Sequence, residues 1–251
     1  MKKIFLTITA LAIGFTFFCF SENRTATEKQ YTQKIHVDDF YKVKILNNFN
    51  VIHRINPDSA GYVVITGDTG TSEYISVNCK KGELIIKYTD TKKPEGNLAD
   101  ITLYSTALES AEYNGDLRMN LPDKLTGSLL SLKLTGNGSI LAPDVNFSIV
   151  KASILTGKGY IDISGSCREA DLSVTGVGEI RAHKLKARDV RCSIYGNASI
   201  GCFAEKTLKA KATGNGTVYY EGNPNIKKIA LGNIKVLPLS GKNETQEQNT
   251  L

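Results

Sequence analysis

The heptapeptide "LTGNGSI" at 134–140 returns as "LTGKGYI" at 155–161, "VTGVGEI" at 174–180, "IYGNASI" at 194–200 and "ATGNGTV" at 212–218. Self-similarity at a period near twenty residues confines the chain to a repeat architecture before any other feature is weighed. With Gly136, Gly157, Gly176, Gly196 and Gly214 as the zero of each copy, the steps are 21, 19, 20 and 18 residues. "YNGDLRM", centred on Gly115, stands 21 residues further upstream as a degenerate copy.

Two positions before zero stand Leu134, Leu155, Val174, Ile194 and Ala212, and four after stand Ile140, Ile161, Ile180, Ile200 and Val218. Four before zero lie Leu132, Ser153, Leu172, Cys192 and Ala210, separated from the first column by Lys133, Ile154, Ser173, Ser193 and Lys211. This alternation is the period of two of a strand with one buried face. A second glycine follows at Gly138, Gly159, Gly178 and Gly216, with Ala198 in the fourth copy, so T-G-x-G is expected to bend one strand into the next.

Twenty residues of strand, at about 3.3 Å each, have a contour of about 66 Å, which suits one coil of a β-solenoid. A leucine-rich repeat would need an L-x-x-L-x-L pattern and an asparagine column that this register lacks. Stacked coils would align Thr135, Thr156, Thr175 and Thr213 in a ladder, interrupted by Tyr195. The expected class is all-β, with a solenoid of about five to six coils over 105–237.

Residues 31–104 lack the glycine register but hold short alternating runs, "YKVKI", "FNVIHRI", "GYVVIT", "EYISV" and "GELIIKY", divided by turn signals. They are expected to form a strand-rich cap over an end whose bare edge would invite aggregation. After the last coil "YYEGNPNIKKIALGNIKVLPL" supplies two further short strands, and the polar segment 238–251 reads as a disordered tail.

The first 21 residues join Lys2 and Lys3 to an apolar run and read as a secretory signal peptide, too short for a typical span, with lipidation of Cys19 as an alternative processing route. Its loss would leave 29 basic and 25 acidic residues, a formal +4, too small an excess to indicate nucleic acid. Cys79, Cys167, Cys192 and Cys202 have no CxxC spacing. Cys192 and Cys202 fall in inward columns, where reduced cysteine packs as a small hydrophobe; Cys79 and Cys167 are left open.

A phosphate loop needs G-x-G-x-x-G opening a helix, whereas each G-x-G here precedes a strand. Polysaccharide chemistry needs clustered carboxylates, but Asp144, Asp162, Asp171, Glu179, Asp189 and Glu205 occupy different columns, with no matched pair on adjacent coils. His36, His53 and His183 have no metal-ligand spacing and read as surface or core residues, and Tyr219 and Tyr220 as core or edge aromatics. The candidate surface is "RAHKLKARDVR" at 181–191, where Arg181, Lys184, Lys186, Arg188 and Arg191 would line the outside of one coil if Leu185, Ala187 and Val190 face inward. Such a surface could attract anionic glycan or lipid headgroups, or serve only as a solvated face.

The order of elements, an apolar leader, "DDFYKVKILNNFNVIHRI", the strand "GELIIKY", then "LTGNGSI" coils ending in "GNGTVYYEGNP", resembles the head GIN domain family of auto-transporter adhesins over about residues 33–237. The resemblance implies a right-handed β-helix-like fold in an exported, envelope-associated protein, and brings no catalytic or binding residues with it. No translocator barrel follows the repeats, so self-translocation is not expected. The expected function is a non-enzymatic, adhesin-like module, without cofactor, that binds an anionic glycan or another envelope component in the periplasm, at the outer membrane or at the cell surface. A ligand-free envelope scaffold and a polysaccharide-active enzyme are the alternatives, and no oligomeric state is specified.

Overall fold

The computed structural model describes residues 30–68, 74–89 and 99–239. The leader 1–21 with Cys19, and all of the tail beyond Leu239, lie outside the described residues. The strands are β1 (Gln30–His36), β2 (Lys42–Ile45), β3 (Asn50–Ile55), β4 (Tyr62–Asp68), β5 (Ile75–Lys80), β6 (Glu83–Tyr88), β7 (Asp100–Ser105), β8 (Ser110–Asn114) and β9 (Arg118–Asn120). They continue as β10 (Leu125–Thr135), β11 (Ser139–Thr156), β12 (Tyr160–Gly176), β13 (Glu179–Glu221) and β14 (Asn225–Pro238). The result is an all-β solenoid of about six turns.

Equivalent residues of successive coils pair in parallel, which is why the repeat exists. On the first face Val43, Ala111, Leu132, Ala152, Leu172 and Cys192 stand on one another in register. On the second, Val51, Met119, Ile140, Ile161 and Ile180 do the same. A third stack, Leu125, Val145, Gly165 and Leu185, closes each later coil. Nearly all of these side chains are solvent-free and form one continuous core. Burying a Leu or Ile contributes about 1.5–3 kcal/mol, so an apolar column repeated on two faces supplies the dominant favourable term.

Two inward columns differ from their expected membership in one coil. Ala152 and Ile154, not Ser153 and Leu155, continue the inward rows, and Leu155 is 44% exposed. The register shifts between Leu134 and Thr135, so a β-bulge absorbs the extra residue of the 21-residue step and the following 19-residue step restores the spacing. A one-residue slip exchanges the faces, so Leu155 turns outward. Thr135 pairs with Thr156, Thr175 with Tyr195 and Thr213 with Leu231.

The two glycines of T-G-x-G do different work. Gly136, Gly157, Gly176, Gly196 and Gly214 all have φ between +98° and +129° and make the bend. Gly138 has no positive φ; a Cβ there would press on the Leu117 carbonyl and stand 2.8 Å from the Tyr113 ring, so close coil approach excludes it.

The N-terminal strands stack on this core. β2 and β3 lie parallel on β8 and β9, in register with the repeats although their sequence lacks the glycines. β6 and β7 extend the two faces in parallel, and the outermost pairs, β5 on β6, β4 on β7 and β1 on β4, are antiparallel. Lys81 (φ +53°) and Gly82 (φ +74°) form the two-residue turn between β5 and β6. At the other end, β14 is a single 14-residue strand in register with β13, in place of two short ones. There Lys228 stands on inward Ala210, while Ile229 and Leu231 are exposed. Lysines on an edge strand oppose pairing with another sheet.

Candidate functional site

The basic stretch 181–191 winds round one coil. Leu185, Ala187 and Val190 are buried, and the buried–exposed alternation slips at 183–184 and 188–189, where the coil turns. Arg181 therefore belongs to the second face, Lys186 to the third with Lys184 and Arg188 at its corners, and Arg191 to the first. The five cations share a coil but no single flat patch.

Carboxylates engage three of the five. Arg181 donates from Nε and Nη2 to Glu179 Oε2, at 2.9 and 2.7 Å, with its guanidinium 4.5 Å from the Tyr160 ring centroid. The Glu179 hydrogen bond, partly opposed by desolvation, holds its pKa above the usual arginine value. Arg191 lies 3.3 Å from Asp171 and Arg188 3.7 Å from Asp189. Among the described residues, Lys184 and Lys186 are both exposed and have no carboxylate at ion-pair distance.

Contrary to the column analysis, adjacent coils do present matched carboxylates: Glu169 pairs in register with Asp189. Both stand seven positions before the zero glycines of their copies, Gly176 and Gly196, so the repeat register itself aligns them. They line a groove of about 530 Å³ with Lys151, Asp171, Lys206 and Lys209. Arg168 lies 3.0 Å from Glu169, and Thr207 Oγ1 donates to Asp189 Oδ1 at 2.6 Å. Both acids are held by neighbours in an exposed ion-pair corner, an arrangement of small energetic weight.

His53 is fully buried beneath the N-terminal coil, its ring 6.3 Å from that of Phe40. Ser105 Oγ donates to the Ala107 carbonyl at 2.8 Å, so His53 Nε2 donates to Ser105 Oγ at 2.8 Å and Nδ1 is left without a partner. Burial lowers its pKa to about 4, against smaller opposing effects of Asp123 and Asp39. The hydrogen bond runs from imidazole to hydroxyl, the reverse of what a base activating serine needs. His36 is exposed with its ring 4.7 Å from Tyr62, and His183 is half-buried. Tyr220 packs partly buried against the core. Among the described residues, no three His, Cys, Asp or Glu side chains converge as a metal site.

One charged surface escaped the sequence analysis. Lys42, Lys44, Lys80, Lys81 and Lys87 surround a groove of about 920 Å³ on the outside of β2, β6 and β5, with Glu83 as the acid among its lining residues. Its signal was available in "YKVKI", "CKKGE" and "LIIKY", where lysines occupy outward positions, but nothing in the sequence brings the three strands together.

This architecture defines a parallel β-solenoid presenting ordered rows of outward side chains. A sequence profile described as "Putative auto-transporter adhesin, head GIN domain" matches residues 39–224, and the chain belongs to that family. A solved "putative adhesin" from Bacteroides fragilis is 26% identical, with a TM-score of 0.75 over 84% of this chain and 98% of that one. A "putative lipid binding protein" from Parabacteroides distasonis is 21% identical, with a TM-score of 0.69 over 84% and 96%. A "putative adhesin" from Parabacteroides merdae is 23% identical, with a TM-score of 0.67 over 85% and 97%. The last two likenesses concern the fold alone. No match is found among curated proteins. Among the described residues no helix is long and apolar enough to cross a membrane.

Proposed function

We propose that this protein is an exported, adhesin-like module that holds an anionic glycan or another envelope partner against the outside of a rigid solenoid and does no chemistry on it. Family membership supports the adhesin-like role. The observation that carries the glycan reading is the pair Lys184 and Lys186, held outward by parallel register and left without carboxylate partners among the described residues. A fixed cation row needs little reorganisation to meet an acidic chain, and reduced ordering cost favours binding.

Export belongs to this reading through the leader 1–21, with Cys19 as the residue that lipidation would use. The test is binding of purified protein to an array of bacterial and host glycans at low and physiological salt. Hits on acidic sugars that weaken with salt and disappear in Lys184→Glu/Lys186→Glu support the proposal. Unchanged binding in that variant removes the assigned surface, and a silent array favours a scaffold role. Cell fractionation, with and without residues 1–21, tests export.

A further inference from the structure

We infer that the lysine groove at the N-terminal end is a second binding site, built for a saccharide that carries phosphate or sulfate groups. It goes beyond the reading above in location and ligand chemistry, and rests on it only in taking the partner to be a sugar.

Strand register places the lining residues on a grid. Outward rows run Lys42, Glu83, Lys80; then Lys44, Ile85, Asn78; then Leu46, Lys87, Ser76. Neighbouring strands lie about 4.8 Å apart, and alternate residues along a strand about 6.7 Å, so the lysines ring Ile85 at one to two grid steps. Lys44 is tied to Glu112 at 3.1 Å, and Lys42 lies 5.3 Å from the Tyr41 ring centroid. Lys80, Lys81 and Lys87 are exposed and have no ion pair among the described residues. Ammonium groups around a shared centre repel one another and are relieved by a compact multivalent anion.

The lining contains no arginine. Lysine meets an oxyanion as a compact point charge, so several lysines around one centre respond to the anion's charge density and not to its plane, and a phosphate or sulfate group supplies that density. Ile85 and half-buried Leu46 form an apolar floor, and Asn78 and Ser76 offer neutral hydrogen-bonding groups beside it. An apolar patch with hydroxyl partners and surrounding cations suits a pyranose whose anionic substituents reach outward. The lining has no aromatic side chain on which successive nucleic-acid bases could stack.

The test is calorimetric titration of the purified protein with a sulfated oligosaccharide of about six sugars, its unsulfated counterpart, a single-stranded oligonucleotide of similar charge, and phosphatidylglycerol vesicles. The sulfated sugar is expected to bind best, more weakly as salt rises. Lys80→Gln/Lys87→Gln is expected to weaken it at least tenfold, and Lys42→Gln severalfold, whereas Lys227→Gln/Lys228→Gln, exposed on β14 at the far end, leaves it within twofold. Equal binding of the unsulfated sugar, preference for oligonucleotide or vesicles, or undiminished binding by the Lys80/Lys87 variant overturns the inference. Loss of binding in Lys184→Gln/Lys186→Gln with none in the Lys80/Lys87 variant overturns it while upholding the surface proposed above.

Discussion

The phenol of Tyr113 donates to the main-chain carbonyl of Phe49 at 3.0 Å, a bond between residues 64 positions apart that ties one coil to the next at a corner. The same oxygen accepts from the Leu117 amide at 3.1 Å. Tyr113 is fully buried, and burial pushes its pKa up to about 12, against the lowering effect of the Leu117 amide and with a raising effect of Asp116. Tyr113→Phe keeps the packing but strands the buried Phe49 carbonyl and the part-buried Leu117 amide, and is expected to cost about 1–3 kcal/mol. Urea unfolding checks it; a variant as stable as the parent would mean that water replaces the phenol there.

Two glycines of one column separate backbone conformation from steric fit. Gly157 has φ +98°, and a Cβ on it would run into the Gly136 carbonyl of the coil beneath. Gly176 has φ +101° with nothing within 4 Å of such a Cβ. Gly176→Ala is therefore expected to cost only backbone strain, about 1–3 kcal/mol, and Gly157→Ala markedly more. Paired thermal melts decide it, and equal costs would refute the role of coil contact.

His53 makes the fold sensitive to acid. Its pKa is about 4 when folded, against 6.5 for the free side chain, so between these values the unfolded chain binds more protons. Stability is fully retained above about pH 6.5 and falls as pH drops from there toward 4, by about 3 kcal/mol for this one group. Denaturant midpoints from pH 7 to 4 should show this slope and lose it in His53→Gln. An unchanged slope in that variant would assign the effect to other groups.

The thiols should react in order of exposure. Cys192 Sγ donates to Cys202 Sγ at 4.0 Å inside the core, and this bond, followed by burial, pushes the Cys192 thiol well up. Burial drives Cys167 up to about 12, with Glu169 adding to the effect. Cys79, near the surface, is raised by burial and then by Asp38 and Asp39. At pH 8 a thiol reagent is expected to label Cys79 slowly and first, and Cys192 and Cys202 only on unfolding. Mass mapping of the labelled sites checks this, and early modification of Cys192 would contradict the packed core.

Much of the fold was legible because its cause is local. The apolar column from Ile140 to Val218 could be read directly, since a period of two and a recurring bend are written into each copy. The bulge that buries Ile154 and exposes Leu155 was not legible, because both are apolar and only the neighbouring coils choose between them. The candidate surface shows the same division. The basic character of 181–191 and the Glu179 partner of Arg181, two residues away on one strand face, are evident in the sequence, but its corners depend on how the coil turns and the Asp171 contact of Arg191 on the coil below.

The sequence by itself determined the solenoid class, the inward columns of most coils and the packing of Cys192 and Cys202, because side-chain alternation and glycine backbone freedom act over a few residues. Only the tertiary structure decided that β2 and β3 stack on β8 and β9, that Ile154 and not Leu155 turns inward, and that lysines from three strands share one groove. Those contacts join residues some twenty to seventy positions apart, and long-range parallel register, set by burial of every coil against its neighbours, is what brings them together.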